Sequence, residues 1–232
     1  MSPSVAPDWD AAAIEAVLAL CSQVPAAAIE QLRSYADLLF RWSASISLVS
    51  AADRPFLAAR HLAPCLAMTP VVASLPHDTI LDFGSGGGLP GIPLKIMLPD
   101  SRLILVESRR KRANFLRQVA RSLELTTLDV IHDRLEQWSI DAAAEGAGRV
   151  DLVVARAVDD PAKVVLATSP VLHSGGHVMV TLGPDWNPAH AVPGMVLREV
   201  VWAGGRLRLG IIGGAVDPQH LSTGKATQSV DK

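Results

Sequence analysis

The chain has 232 residues, 49% of them apolar, 19% charged and a formal net charge of −2. That is enough apolar material for a sizeable globular core and too little overall charge bias for a disordered or polybasic chain. The two cysteines, Cys21 and Cys65, have no metal-ligand spacing, so the expectation is reduced thiols, no structural metal and a cytoplasmic setting. No apolar run reaches the length needed to cross a bilayer, and no Lys or Arg precedes Arg33 to form a basic leader.

From about Trp9 to Ala73 the apolar spacing is helical, with Ile14, Val17 and Leu18, then Ile29, Leu32, Leu39 and Phe40, then Phe56, Leu57, His61 and Leu66. Asp53 followed by Pro55 reads as a helix start. From Thr79 onward strand patterns alternate with helical ones. Strands are expected at 79–83, 102–107, 127–132, 150–155 and 177–182, and helices at 91–98, 109–123 and 161–170. Asp160 before Pro161 is an N-cap signal. Val196–Trp202 and Arg206–Ile212 would close the sheet as a hairpin through Gly204-Gly205, and the chain beyond about residue 213 is small and polar. The organisation expected is a helical extension (1–75), an α/β domain with a mostly parallel, doubly wound sheet and helices on both faces (76–212), and a disordered tail (213–232).

The segment Thr79–Pro93 carries the chemistry. A short apolar strand ends in Asp82, two residues before Gly84, and glycines recur at 86, 87 and 88. Such glycines let the backbone approach a ligand closely. The pattern Asp-x-Gly-x-Gly-x-Gly is similar to the S-adenosylmethionine (SAM) loop of Rossmann-like methyltransferases. A dinucleotide would also suit residues 86–91, and a purely structural strand-to-helix turn would use glycines here too. The next strand ends in Glu107, 23 residues after Gly84, where such units place the carboxylate that accepts from ribose hydroxyls. The alternative role for Glu107 is to cap the helix that follows.

That helix is basic. At 100° per residue Phe115, Leu116, Val119 and Leu123 share one side, while Arg110, Asn114, Arg117 and Arg121 fall within about 60° of one another on the opposite side. The stripe suits phosphates or is simply a solvated face. Lys111 and Arg112 sit in the first turn, where the helix dipole disfavours cations, which points to a ligand or substrate contact.

Four further segments carry a family resemblance: Gly-Leu-Pro-Gly-Ile-Pro (88–93), Lys-Arg-Ala-Asn-Phe-Leu-Arg-Gln-Val (111–119), Arg-Leu-Glu (134–136) and Ala-Arg-Ala (155–157). Together with 41–50 and Arg60-His61 they resemble the RsmG family, also called glucose-inhibited division protein B, from about residue 30 to 212. The resemblance implies a Rossmann-like, SAM-dependent methyltransferase acting on N7 of a guanine in 16S (small-subunit) ribosomal RNA, in the free RNA or the small ribosomal subunit. It implies SAM contact by Gly84, Leu89, Leu135, Glu136 and Arg156. With the residue-level reading, the expected cofactor set becomes Asp82, Gly84, Ser85, Gly86, Leu89, Glu107, Leu135, Glu136 and Arg156. The expected RNA-binding set is Arg110, Lys111, Arg112, Arg117 and Arg121. Arg134 and Arg156, expected at neighbouring strand ends, would position the guanine. No general base and no metal are expected, because N7 already carries a lone pair. A monomer is the expected state.

The chain departs from the family pattern at Ser43 and Ser47, where the family has Asn, at Pro64-Cys65, where it has Asp-Ser, and at Leu182, where Lys precedes glycine. These lost polar groups are expected to face the substrate. They keep two other readings open: a small-molecule methyltransferase and a non-catalytic SAM- or RNA-binding protein.

Overall fold

A computed structural model describes residues 10–144, 150–156 and 160–213. Seven strands form one sheet: β1 (Thr79–Phe83), β2 (Arg102–Val106), β3 (Leu128–Ile131), β4 (Val150–Ala155), β5 (Leu172–Leu182), β6 (Val196–Trp202) and β7 (Gly205–Gly213). Their order is β3-β2-β1-β4-β5-β7-β6. β1 to β5 pair in parallel, and β7 pairs antiparallel with both β5 and β6. The order reverses between β1 and β4, each of which is continued by its chain on opposite sides. That reversal leaves a crevice at the carboxyl ends of the strands, the usual place for a ligand in such sheets.

The central strands are buried on both faces, so their side chains divide by period two. Ile80, Leu103, Leu105, Leu152 and Val154 point into a core shared with α1 (Ala11–Leu18), α2 (Ala28–Trp42), α3 (Ala63–Leu66), α4 (Thr69–Val72), α5 (Gly91–Met97) and α6 (Arg110–Ser122). Leu81, Ile104, Val106, Val153 and Ala155 pack on the other face with Val164 and Val165 of α8 (Pro161–Thr168) and Trp138 of α7 (Leu135–Ala144). Asp82 lies on the same face as Ile80, which turns its carboxyl toward the N-terminal helices rather than into solvent.

Several boundaries differ from the sequence expectation, and α7 was not anticipated at all. It follows Arg134, not a capping residue type, and ends in a run of alanines, so neither a capping signal nor a strong apolar stripe marks it in the sequence. β5 starts five residues early because Leu172 already pairs with Val150, with a register shift before Leu152 pairs His177. The helix start at Asp53-Pro55 is a 3-10 turn (Arg54–Phe56) running into a π-helical segment (Leu57–Leu62). Pro64 accounts for the π geometry: it has no N–H to give to the carbonyl four residues earlier, Arg60, and its ring would crowd that carbonyl. The expected tail beyond Gly213, residues 1–9 and Ala157 lie outside the described residues.

Candidate functional site

The glycine loop is held from three directions. Gly84, Gly86 and Gly88 have φ of +67°, +54° and +86°. At Gly88 the need is steric as well, since a Cβ there would lie 2.6 Å from Ile92 Cγ1 and 3.0 Å from Leu116 Cδ2. From below, the Ser85 N–H donates to the Val106 carbonyl (3.1 Å) and the Ser85 hydroxyl to the Asp82 carbonyl (3.0 Å). From β2, the buried Glu107 carboxylate accepts the Gly86 N–H at 2.9 Å and the Arg109 N–H at 2.7 Å. From the helical block, the Tyr35 hydroxyl of α2 donates to the Gly87 carbonyl at 2.6 Å. Tyr35 was not anticipated. Its position on the buried stripe of α2 marks it as core, and only the fold brings its hydroxyl to the loop.

Asp82 and Ser85 support the loop and do not face the cleft. Asp82 is buried and its Oδ2 accepts the Gly91 N–H at 3.0 Å, while Oδ1 has no partner among the described residues. Burial raises its carboxyl to about 7, and the Glu107 charge adds to this, against the Gly91 hydrogen bond and the Arg156 guanidinium, which pull it down. Gly84, by contrast, is exposed, and a Cβ on it would meet nothing within 4 Å. It opens into a cleft of about 360 Å³ at the ends of β1 to β3, lined by Phe83, Gly84, Glu107, Arg109, Arg112, Asp133, Arg134 and Glu136 among others. A larger cleft of about 540 Å³, formed by Gln23–Pro25, His77 and Met97–Ser101, lies at the amino ends of β1 and β2. It carries no constellation of functional groups.

The basic residues separate into two kinds. Arg112 lines the cleft: it donates to the Ser47 carbonyl at 2.6 Å and lies 4.0 Å from Glu107 Oε2. Its unfavourable place in the first turn of α6 is thereby explained by a bridge between the helical block and the Glu107 carboxylate. Arg110, Lys111 and Arg121 are exposed. Arg117 is not part of a solvent-directed stripe: it folds down onto β3, donating to the Val130 carbonyl at 3.2 Å. Leu135 and Glu136 begin α7, and Glu136 lines the cleft. Leu89 is half-buried against the main core.

Arg134 and Arg156 are not at neighbouring strand ends. β3 and β4 follow one another in the chain, but β2 and β1 stand between them in the sheet, so three interstrand spacings, roughly 14 Å, separate their ends. Arg156 faces the helical block. Its guanidinium donates to the carbonyls of Arg60 (3.1 Å) and His61 (3.2 Å), lies 3.2 Å from His61 Nδ1, and reaches Cys65 Sγ at 3.5 Å. A permanent donor against Nδ1 requires that nitrogen to accept, so His61 is the neutral tautomer with its proton on Nε2. Burial and the neighbouring Arg156 charge push the His61 pKa down, in agreement.

The departures from the family pattern also separate. Cys65 sits at Arg156, and Pro64 precedes it in the chain. Ser43 returns its hydroxyl to the Leu39 carbonyl of its own helix at 2.6 Å. Ser47 contributes only its carbonyl, and Leu182 is buried.

The model of the GidB family, rRNA small subunit methyltransferase G, matches residues 28–186. The chain belongs to this family. It is 37% identical over 202 residues to the ribosomal RNA small subunit methyltransferase G of Stenotrophomonas maltophilia, covering 86% of this chain and 91% of the relative. The protein of the same name from Xanthomonas euvesicatoria is 36% identical over 180 residues, covering 78% of this chain and 80% of the relative. Two solved structures share the fold: the O-methyltransferase TomG from Streptomyces achromogenes in complex with SAM (TM-score 0.54, 15% identity, 92% of this chain and 100% of that one) and cofactor-bound Rv0187 from MTB (TM-score 0.54, 16% identity, 94% and 100%). Family membership and fold together make the chain a SAM-dependent methyltransferase of Rossmann-like architecture.

Proposed function

We propose that the protein transfers a methyl group from SAM to N7 of a guanine in small-subunit ribosomal RNA. The observation that carries this reading is the extent of the family match, which runs from α2, the source of the Tyr35 loop contact, through the cleft to Trp186. The residues fit the cofactor. Glu107 and Glu136 offer acceptors to ribose and adenine, and Arg109, Arg112 and Arg134 offer donors to a carboxylate. Gly84 leaves the floor open for close approach. Leu89, Leu135 and Gly86 complete the loop and adenine side in this reading, with Asp82 and Ser85 holding the loop from behind.

SAM supplies an electrophilic methyl on a sulfonium. Guanine N7 has a lone pair and no proton, so the protein's task is to align the two in line and exclude water. Arg134 at the β3 end and Arg156 at the β4 end flank the crevice from opposite sides. In this reading Arg134 serves the cofactor and phosphate side, and Arg156 holds the segment that presents the guanine. Arg110, Lys111 and Arg121 add phosphate contacts. The helical extension (1–75) and the methyltransferase domain (76–212) then act as one body on a cytoplasmic, ribosomal substrate, as a monomer.

The test is methyl transfer from labelled SAM to small ribosomal subunits and to free 16S RNA, with the product mapped by the chain cleavage that 7-methylguanosine permits. Label at a guanine N7 is the expected result. Tight SAM binding without transfer to either RNA overturns the reading.

A further inference from the structure

We infer that Phe56 and Arg60 form a stacking platform for a splayed RNA base beside the methylation site, an inference that rests on the RNA substrate proposed above. Phe56 is 48% exposed, whereas every other Phe, Tyr or Trp ring whose surroundings are described is buried or half-buried. Its ring is not loose. The Arg60 guanidinium carbon lies 4.2 Å from the ring centroid, and the Arg60 Nη1 is held by Asp53 Oδ1 at 2.9 Å. Asp53 in turn accepts the Ser50 hydroxyl at 2.7 Å. A phenyl ring and a guanidinium are thus prearranged on the surface, with about half of Phe56 left to solvent.

The pair is also tied to the site. Pro64 removes the N–H that the Arg60 carbonyl would otherwise accept, and Arg156 takes that carbonyl at 3.1 Å and the His61 carbonyl at 3.2 Å. Asp82 pairs with Val154 in the sheet, so Arg156, two residues on, stands level with Gly84 at the mouth of the cofactor loop. The platform therefore hangs from the β4 edge of the crevice. Single-stranded RNA is recognised by bases stacked on aromatic rings and guanidinium planes, with cations drawing the phosphates in. An exposed ring with a guanidinium plane fixed over it supplies the stacking surface. A protein partner would ask only for apolar area, which makes it the competing outcome of the test.

The experiment uses the full chain and the variants Phe56→Ala, Phe56→Leu and Phe56→Trp. SAM affinity by calorimetry reports folding and is expected to be unchanged in all three. Steady-state methyl transfer is then measured on small subunits and on free 16S RNA. Phe56→Ala and Phe56→Leu are expected to raise KM for RNA roughly tenfold, and Phe56→Trp to stay within about twofold of the original. A wild-type KM in Phe56→Ala overturns the platform. So does rescue by Leu as good as by Trp, or an effect on subunits that vanishes on free RNA, since both mark a protein contact. If the unaltered chain methylates neither RNA, the functional reading fails separately. The platform is then decided by fluorescence anisotropy with a short single-stranded oligoribonucleotide, where equal affinity of the unaltered chain and Phe56→Ala overturns it.

Discussion

On the β2 side of the site a buried carboxylate, Glu107, grips two backbone N–H groups, whereas on the β4 side a guanidinium, Arg156, grips two backbone carbonyls. The partners of Glu107 are its neighbour Arg109 and the glycine loop one strand away, so that half is a product of the βαβ unit itself. The partners of Arg156 lie more than 90 residues away in the helical block. The β2 side, proposed to hold the cofactor, therefore rests chiefly on the βαβ unit, with Tyr35 reaching the loop from the helical block. The rim beside β4 is built by contacts between regions remote in sequence.

The contrast is broken most directly at Gly88. Gly88→Ala combines a left-handed backbone with collisions against Ile92 and Leu116. Strain and overpacking together should cost roughly 4 kcal/mol of stability, read by denaturant titration, with SAM binding lost. A loop that tolerates alanine with unchanged affinity would show that its rigidity does not matter.

Asp82 provides the next test. Its folded carboxyl is raised to about 7 from its ordinary value of 3.8, so above pH 4 the folded state retains a proton that the unfolded state has released. Stability contributed by this group is complete below about pH 4 and is lost as the pH rises toward 7, at up to about 1.4 kcal/mol per pH unit. Asp82→Asn keeps an acceptor for the Gly91 N–H and should flatten that slope. An identical pH dependence in the variant would remove Asp82 as its source.

Arg156→Lys probes the other half. A lysine cannot span two consecutive carbonyls and an imidazole at once, so methyl transfer should fall at least roughly tenfold, about 1.4 kcal/mol, at saturating SAM. SAM affinity should change little. Equal losses in affinity and rate would move Arg156 to the cofactor side and erase the contrast.

The smallest effect concerns α6. Neutralising Arg110 and Arg121 should reduce the salt dependence of RNA binding by up to about two units of slope. Arg117→Gln should leave that slope alone and cost stability instead, because Arg117 is engaged with β3. A slope change in Arg117→Gln would restore the three-residue stripe.

Much of this molecule was legible in the chain of residues. The Asp82–Gly88 spacing, the acid at Glu107 and the alternation of strand and helix patterns are local signals, because a strand end, a tight turn and a helix start each leave their marks within a few residues. Burial on both faces of a parallel sheet likewise writes itself as continuous apolar runs. The strand order was decided only by the tertiary structure, and with it the distance between Arg134 and Arg156. So were the Tyr35 hydroxyl on Gly87, the descent of Arg117 onto β3, and the capture by Arg156 of the carbonyl that Pro64 leaves unpaired. In each case a side chain meets a backbone group of a different element. A hydrogen bond of that kind imposes no periodicity and no composition on the chain, so only the packed fold reveals it.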